Sequence, residues 1–131
     1  MPPETAPQRW LAYAASDLEI ARTVGHPHVL RESLCFHAQQ AAEKAIKAVL
    51  VFRGADPPRT HDLEILLAEL PTEMTRDIDR LAVAALTAYA VASRYPSTEE
   101  PIEEDERRRA VSIAGAVVDW ARRIVGPAPS G

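Results

Sequence analysis

The apolar positions of this chain fall three and four residues apart almost from end to end, which is the spacing of amphipathic helices. The longest such run is Glu32 to Gly54, ESLCFHAQQAAEKAIKAVLVFRG. Leu34, Ala38, Ala41, Ala45, Ala48 and Phe52 make one apolar stripe there. Alanine is the strongest helix former, and Gln, Glu and Lys follow closely. No proline interrupts the run, and Gly54 ends it. A face so rich in alanine lets a neighbouring helix approach closely. A polar line of Gln40, Glu43, Lys44 and Lys47 runs beside the stripe. Glu43 stands four residues before Lys47, the better orientation for an ion pair. The line is either the solvated flank of a core helix or a surface that meets a ligand or partner.

The same reading predicts four further helices. The first runs from about Pro7 to Val24, with Leu11, Ala14, Leu18 and Ala21 inward and Trp10, Tyr13 and Asp17 on an adjacent strip. Gly25 to His28 breaks the pattern, and the second helix then runs from His28 or Leu30 to Arg53. Pro57 and Pro58 prevent its continuation. Thr60 is the expected N-cap of a short third helix, with His61 and Asp62 in its first turn. Leu63, Leu66, Leu67 and Leu70 bury that helix, and Pro71 stops it. Thr72 caps a long fourth helix with a stripe of Met74, Ile78, Leu81, Ala85, Ala88 and Ala92, ending near Arg94 or Tyr95. Pro101 opens the fifth, with Glu103, Glu104, Asp105 and Glu106 near its positive end. Arg107, Arg108 and Arg109 follow, which allows pairs such as Glu103 with Arg107 and Glu104 with Arg108. Val111, Ala114, Val117, Val118, Ala121 and Ile124 bury the remainder. The one strand-like piece, Ala48 to Arg53, lies inside the second helix's periodicity. The fold class predicted is all-α: an antiparallel up-and-down bundle of four longer helices plus one short helix. The bundle spans residues 9–125, between a flexible N-terminal tail (1–8) and a C-terminal tail (126–131).

At 131 residues the chain has the length of one domain. Apolar residues make up 47% and aromatics only 5%, so the core must rest on aliphatic side chains and alanine. A net charge of -4 gives no general attraction to nucleic acid or to an acidic membrane. Lys44 and Lys47 are the only lysines; every other basic residue is Arg. Cys35 is alone, which excludes an internal disulfide and a cysteine metal site, and its place in a helical run suits a small buried hydrophobe. His26 and His28 lack a third ligand at a fixed spacing, so no metal is expected. MPPETAPQRW lacks the pattern of a signal peptide, and no apolar run is long enough to span a membrane. A cytoplasmic location is the expectation.

The blocks SDLEIA, CFHAQQAAEKAIKAVLVFRG, RTHDLEILLAEL and ASRYP, in that order from about Arg9 to Ile124, resemble the HEPN (higher eukaryotes and prokaryotes nucleotide-binding) domain family. That resemblance implies an all-helical bundle that usually dimerises. It also implies a minimal nucleotidyltransferase as partner, because many bacterial and archaeal members are encoded beside one and work with it. Some of those pairs resemble toxin–antitoxin systems, in which the HEPN protein is often a metal-independent ribonuclease. The ribonuclease motif is an Arg followed a few residues later by a His, at the end of the penultimate long helix. Here that region reads AVASRYPSTEEPIEEDE: Arg94 is present, but His26, His28, His37 and His61 all lie upstream of it. Arg31 and His37 satisfy the bare spacing, but at the start of the second helix. The resemblance therefore implies a nucleotide-binding or accessory subunit that acts with a minimal nucleotidyltransferase and has no independent catalytic activity. The alternatives are a toxin-like ribonuclease and a non-catalytic helical adaptor. RNA is not the favoured ligand.

Lys44, Lys47, Arg59 and His61 form the candidate nucleotide-binding set, with ATP or another nucleotide as ligand. His61 lies near Arg59 at a helix start, where backbone N–H groups favour phosphate. Lys44 stands close to the apolar stripe and so requires a defined partner, Asp17 or Glu43. A bridge from Asp17 to Lys44 would join the first two helices. Asp17, Gln40, Glu43, Arg94 and Tyr95 are expected as polar structural residues.

Overall fold

The computed structural model describes residues 6–92 and 101–127. The helix α1 spans Ala6–Arg22 and α2 spans Arg31–Phe52. The short helices α3 (Leu63–Ala68), α4 (Arg80–Ala85) and α5 (Ala88–Ala92) follow, with a 3-10 turn, Thr72–Thr75, before α4. The helix α6, Glu104–Val125, completes the chain's helices. No strand occurs among the described residues.

α2 is the centre. Ala38, Ala41, Ala42, Ala45, Ile46, Ala48 and Val49 are fully buried, so α2 is covered on most of its circumference. Small side chains permit this, because alanine costs little conformational entropy and lets α1 and α6 come close. Phe52 was expected to end the apolar stripe, but it lies 49% exposed in the last turn, and Val49 and Leu50 take the core positions. Gly54 then adopts φ +82 and the chain turns away, a conformation that side-chain-bearing residues rarely adopt.

α1 packs antiparallel to α2: Trp10 lies beside Lys47, and Asp17 beside His37 and Lys44. Leu11, Ala14, Leu18 and Ala21 face inward as their spacing predicts. α1 begins at Ala6, so residues 6–8 of the expected tail are helical. Pro7 is tolerated in a first turn because its missing N–H has no helical partner there. α6 starts where α2 starts: Arg31 donates to Glu104 at 3.3 Å and to the Ile102 carbonyl at 3.2 Å. Buried Arg107 donates to the Ala21 carbonyl at 3.0 Å, satisfying the end of α1, and also pairs with Glu104. Arg107 thus takes Glu104 rather than Glu103, while Glu104 also reaches Arg108 at 3.7 Å.

The remaining strut, residues 72–92, returns between α2 and α6. Its expected single long helix is broken. Thr75 turns inward, and the Trp120 indole of α6 donates to the Met74 carbonyl at 2.8 Å. Asp79 then caps a new helix by accepting from the Ala82 N–H at 3.1 Å. Thr87 accepts from the Leu63 N–H at 3.1 Å, at the gap between α4 and α5. The helical phase resets at each break. Val83, Leu86 and Ala90 are therefore buried, and the expected stripe members Leu81, Ala85 and Ala88 face out. Ala92 adds nothing to this comparison, since its side chain lies outside the described ones. α3 buries its three leucines, and Leu70 just beyond it is buried too, but its cap is Asp62, not Thr60: the Asp62 carboxylate accepts from the Glu64 and Ile65 N–H groups. The result is an all-α up-and-down bundle.

Candidate functional site

α2 is not covered all the way round. From its second turn onward, Phe36, His37, Gln40, Lys44, Lys47 and Val51 are half-buried and recur at helical spacing, so they form one accessible strip. α1 borders the strip on one side with Trp10, Tyr13 and Asp17. The segment entering α3 supplies His61.

Two carboxylates organise it. Asp17 of α1 accepts from Lys44 Nζ at 2.6 Å, the interhelical pair anticipated from the helix faces, and His37 Nδ1 lies 2.9 Å from its other oxygen. Glu43 of α2 accepts from Lys47 Nζ at 2.9 Å and from the Gln39 amide at 3.1 Å, and His61 Nδ1 lies 2.8 Å away. Gln39 also donates to the His61 carbonyl at 3.1 Å, which ties the α3 entry to α2 through both backbone and ring. Gln40 donates to Gln39 Oε1 at 2.7 Å. Burial pushes the Glu43 carboxyl up, but the hydrogen bonds from Lys47, His61 and Gln39 outweigh it and hold the group below the usual carboxylate range.

The lysines also sit over aromatic rings. Lys44 Nζ is 5.9 Å from the Tyr13 centroid and Lys47 Nζ is 5.7 Å from that of Trp10, within cation–π reach. Beside these rings, Ala6, Arg9, Trp10 and Tyr13 line a depression of about 170 Å³. Of the residues expected to bind nucleotide, Lys44, Lys47 and His61 therefore lie on this strip or at its border. Arg59 is exposed and enters no ion pair among the described residues. Arg94 and Tyr95 lie outside the described residues.

The sequence reading missed His37 as a partner of Asp17, and it missed Gln39. Both left a signal. His37 and Lys44 are seven residues apart, two helical turns, and so lie on one face; Gln39 stands four residues before Glu43.

The model of the HEPN domain family matches residues 7–124, nearly the whole bundle. The chain belongs to the HEPN family. Among solved structures, a protein of Thermus thermophilus is 28% identical and superposes with a TM-score of 0.75, covering 90% of this chain and 97% of that one. An archaeal HEPN homologue is 26% identical with a TM-score of 0.72, covering 93% of this chain and 99% of its own. No curated protein matches. Among the described residues of this HEPN chain, no group of three or more His, Cys, Asp or Glu is placed to hold a metal ion. None of its described helices is long and apolar enough to cross a membrane.

Proposed function

We propose that this HEPN chain is a non-catalytic accessory subunit that works as a homodimer with a minimal nucleotidyltransferase, in a pair of the toxin–antitoxin kind, and binds a nucleotide such as ATP along the α2 strip. One observation carries the reading: both lysines of the chain, two imidazoles and the Trp10 and Tyr13 rings meet along one accessible strip and its borders. Aromatic faces suit a base, and nitrogen donors suit phosphate oxygens. Leu81, 87% exposed, lies with exposed Ala85, Ala88 and Val91 on α4 and α5, an apolar surface that a second copy would cover.

A ribonuclease is the second reading, because a carboxylate holding an imidazole is the arrangement of a general base, and Asp17 holds His37 in this way. Its weakness is Arg31. Five residues of helix lie between it and His37, a step that turns the two side chains about 120° apart, and Arg31 is held by Glu104 and the Ile102 carbonyl.

The test is to co-express the chain with the product of its adjacent gene, weigh the purified complex by light scattering, and titrate ATP into the complex and each component. A stable complex containing two copies of this chain, and binding ATP more tightly than either part, is the expected outcome. A chain that purifies alone and cleaves RNA in EDTA would overturn the accessory reading in favour of the nuclease.

A further inference from the structure

Both lysines of the strip are already paired. Lys44 is paired with Asp17 and Lys47 with Glu43, and the hydrogen bonds around Glu43 keep it ionised through the neutral range. Two ordinary lysine–carboxylate pairs offer an anion no net attraction. Arg9 and Arg59 add fixed positive charge at the borders of the strip, and His37 and His61 are the groups that can add to it within the strip.

Both rings are held the same way. His37 faces Asp17 of α1 and lies two turns from Lys44 on its own helix; the Phe36 ring stands edge-on to it, with centroids 5.4 Å apart. His61 faces Glu43, which also carries Lys47; Arg59 and Asp62 are its charged neighbours in its own segment, and Asp62 is turned to cap α3. An ionised carboxylate only accepts hydrogen bonds, so Nδ1 of each ring carries the proton that meets it. Nε2 of a neutral ring is then a lone pair, which repels a phosphate oxygen. A second proton turns the same atom into a charged donor. The His37 side chain is 31% exposed and that of His61 53%, so solvent and ligand can reach the rings. Imidazole is the side chain whose charge ordinarily changes between about pH 5 and pH 8.

We infer that the strip takes up protons at His37 and His61 when it binds a phosphorylated aromatic ligand, a nucleoside phosphate, so that binding tightens as pH falls. The inference rests on the reading that the strip binds nucleotide and adds its regulation. The base stacks at Trp10 and Tyr13, and the phosphates meet the imidazolium Nε2–H groups rather than the lysines, whose charge the carboxylates already hold.

ADP titration by calorimetry tests it, in the wild type and in the double variant His37→Gln, His61→Gln. Gln keeps an amide donor for each carboxylate but takes no proton. Each proton taken up per ligand tightens binding about tenfold per pH unit while its site is largely unprotonated, so the wild type is expected to gain about tenfold or more from pH 8 to pH 6. The variant should change about twofold or less over the same range, the remainder belonging to the phosphate of ADP itself. Repeating the wild-type titration in buffers of different ionisation enthalpy counts the protons directly, and the single variants serve if the double one does not fold. Equal pH slopes in wild type and variant, or no proton uptake, would overturn the inference and leave nucleotide binding standing. No ADP heat at any pH would remove the nucleotide reading and the inference with it.

Discussion

Asp17 and Glu43 each accept from one lysine and contact one histidine, yet they sit in different surroundings. Asp17 lies between the two long helices α1 and α2, and its partners reach solvent: the Lys44 side chain is 25% exposed and that of His37 31%. Glu43 is on α2 itself, its side chain 5% exposed, beside Lys47 at 12% and fully buried Gln39. The first cluster fastens packed helices together. The second anchors a segment with little regular structure, residues 53–62, whose N–H groups at 53–55 bond back to the last turns of α2 and whose Thr60 N–H bonds to the Pro58 carbonyl. Both carboxylates are buried, Asp17 at 10% and Glu43 at 5%, and His61 is exposed at 53%, so the Asp17 clasp and the Glu43 anchor differ in their lysines and in Gln39, and the burial of those partners decides what each carboxylate is worth.

Removing the carboxylates should separate them most. Glu43→Ala strands Lys47 and Gln39 away from water and releases His61, and a stability loss of about 3 kcal/mol is expected. Asp17→Ala leaves partners that can turn to solvent, and about 1 kcal/mol is expected. Urea unfolding of the two variants measures both, and equal losses would mean that the anchor and the clasp do not differ. In Glu43→Ala, amide exchange should also quicken at the start of α3, where His61 and Asp62 lie.

The sequence makes one of these clusters far easier to see than the other. Asp17 and Lys44 could be paired from helix faces, because α1 and α2 are long and strongly periodic and their phase carries over many turns. The Glu43 cluster depends on His61, which arrives through a loop after Pro57 and Pro58, and helical periodicity says nothing about where a loop returns. The strut 72–92 failed for a related reason. Its apolar residues fit one helical stripe, but Asp79 caps a new helix and the Thr87 hydroxyl is taken by the Leu63 N–H of α3, and an Asp in mid-pattern reads equally well as a solvated helical residue. The lysines were legible as special because they are the only two. The carboxylate bound to each was legible as well, Glu43 for Lys47 from a spacing of four and Asp17 for Lys44 from the helix faces.

Acid should sharpen the comparison by a smaller amount. The Glu43 carboxyl is held below its ordinary value of 4.5, so its stabilisation is fully present above that pH and is lost as pH falls through the folded value. The stability gap between wild type and Glu43→Gln is therefore expected to close as pH falls below 4.5, read from urea midpoints at successive pH values. A gap that widened further below pH 4.5 would give the linkage the wrong sign for a carboxyl held in its ionised form.

Salt should give the smallest difference, and the cleanest. At about 1 M salt the Debye length falls to roughly 3 Å, so charges in contact with solvent are screened while buried ones are screened much less. The quantity to follow is the coupling energy from a double-mutant cycle, since added salt shifts overall stability for reasons that cancel around the cycle. For Asp17 with Lys44, the more solvated pair, the coupling should fall by a few tenths of a kcal/mol between low salt and about 1 M. For Glu43 with Lys47 it should move less, because both side chains of that pair are more buried. If both couplings fell together, solvent would have equal access to the two carboxylates, and the α3 entry would be opening often enough to wet Glu43. That outcome would recast the anchor as a second clasp and move the proton-dependent behaviour of His61 from a fixed surface to a mobile one.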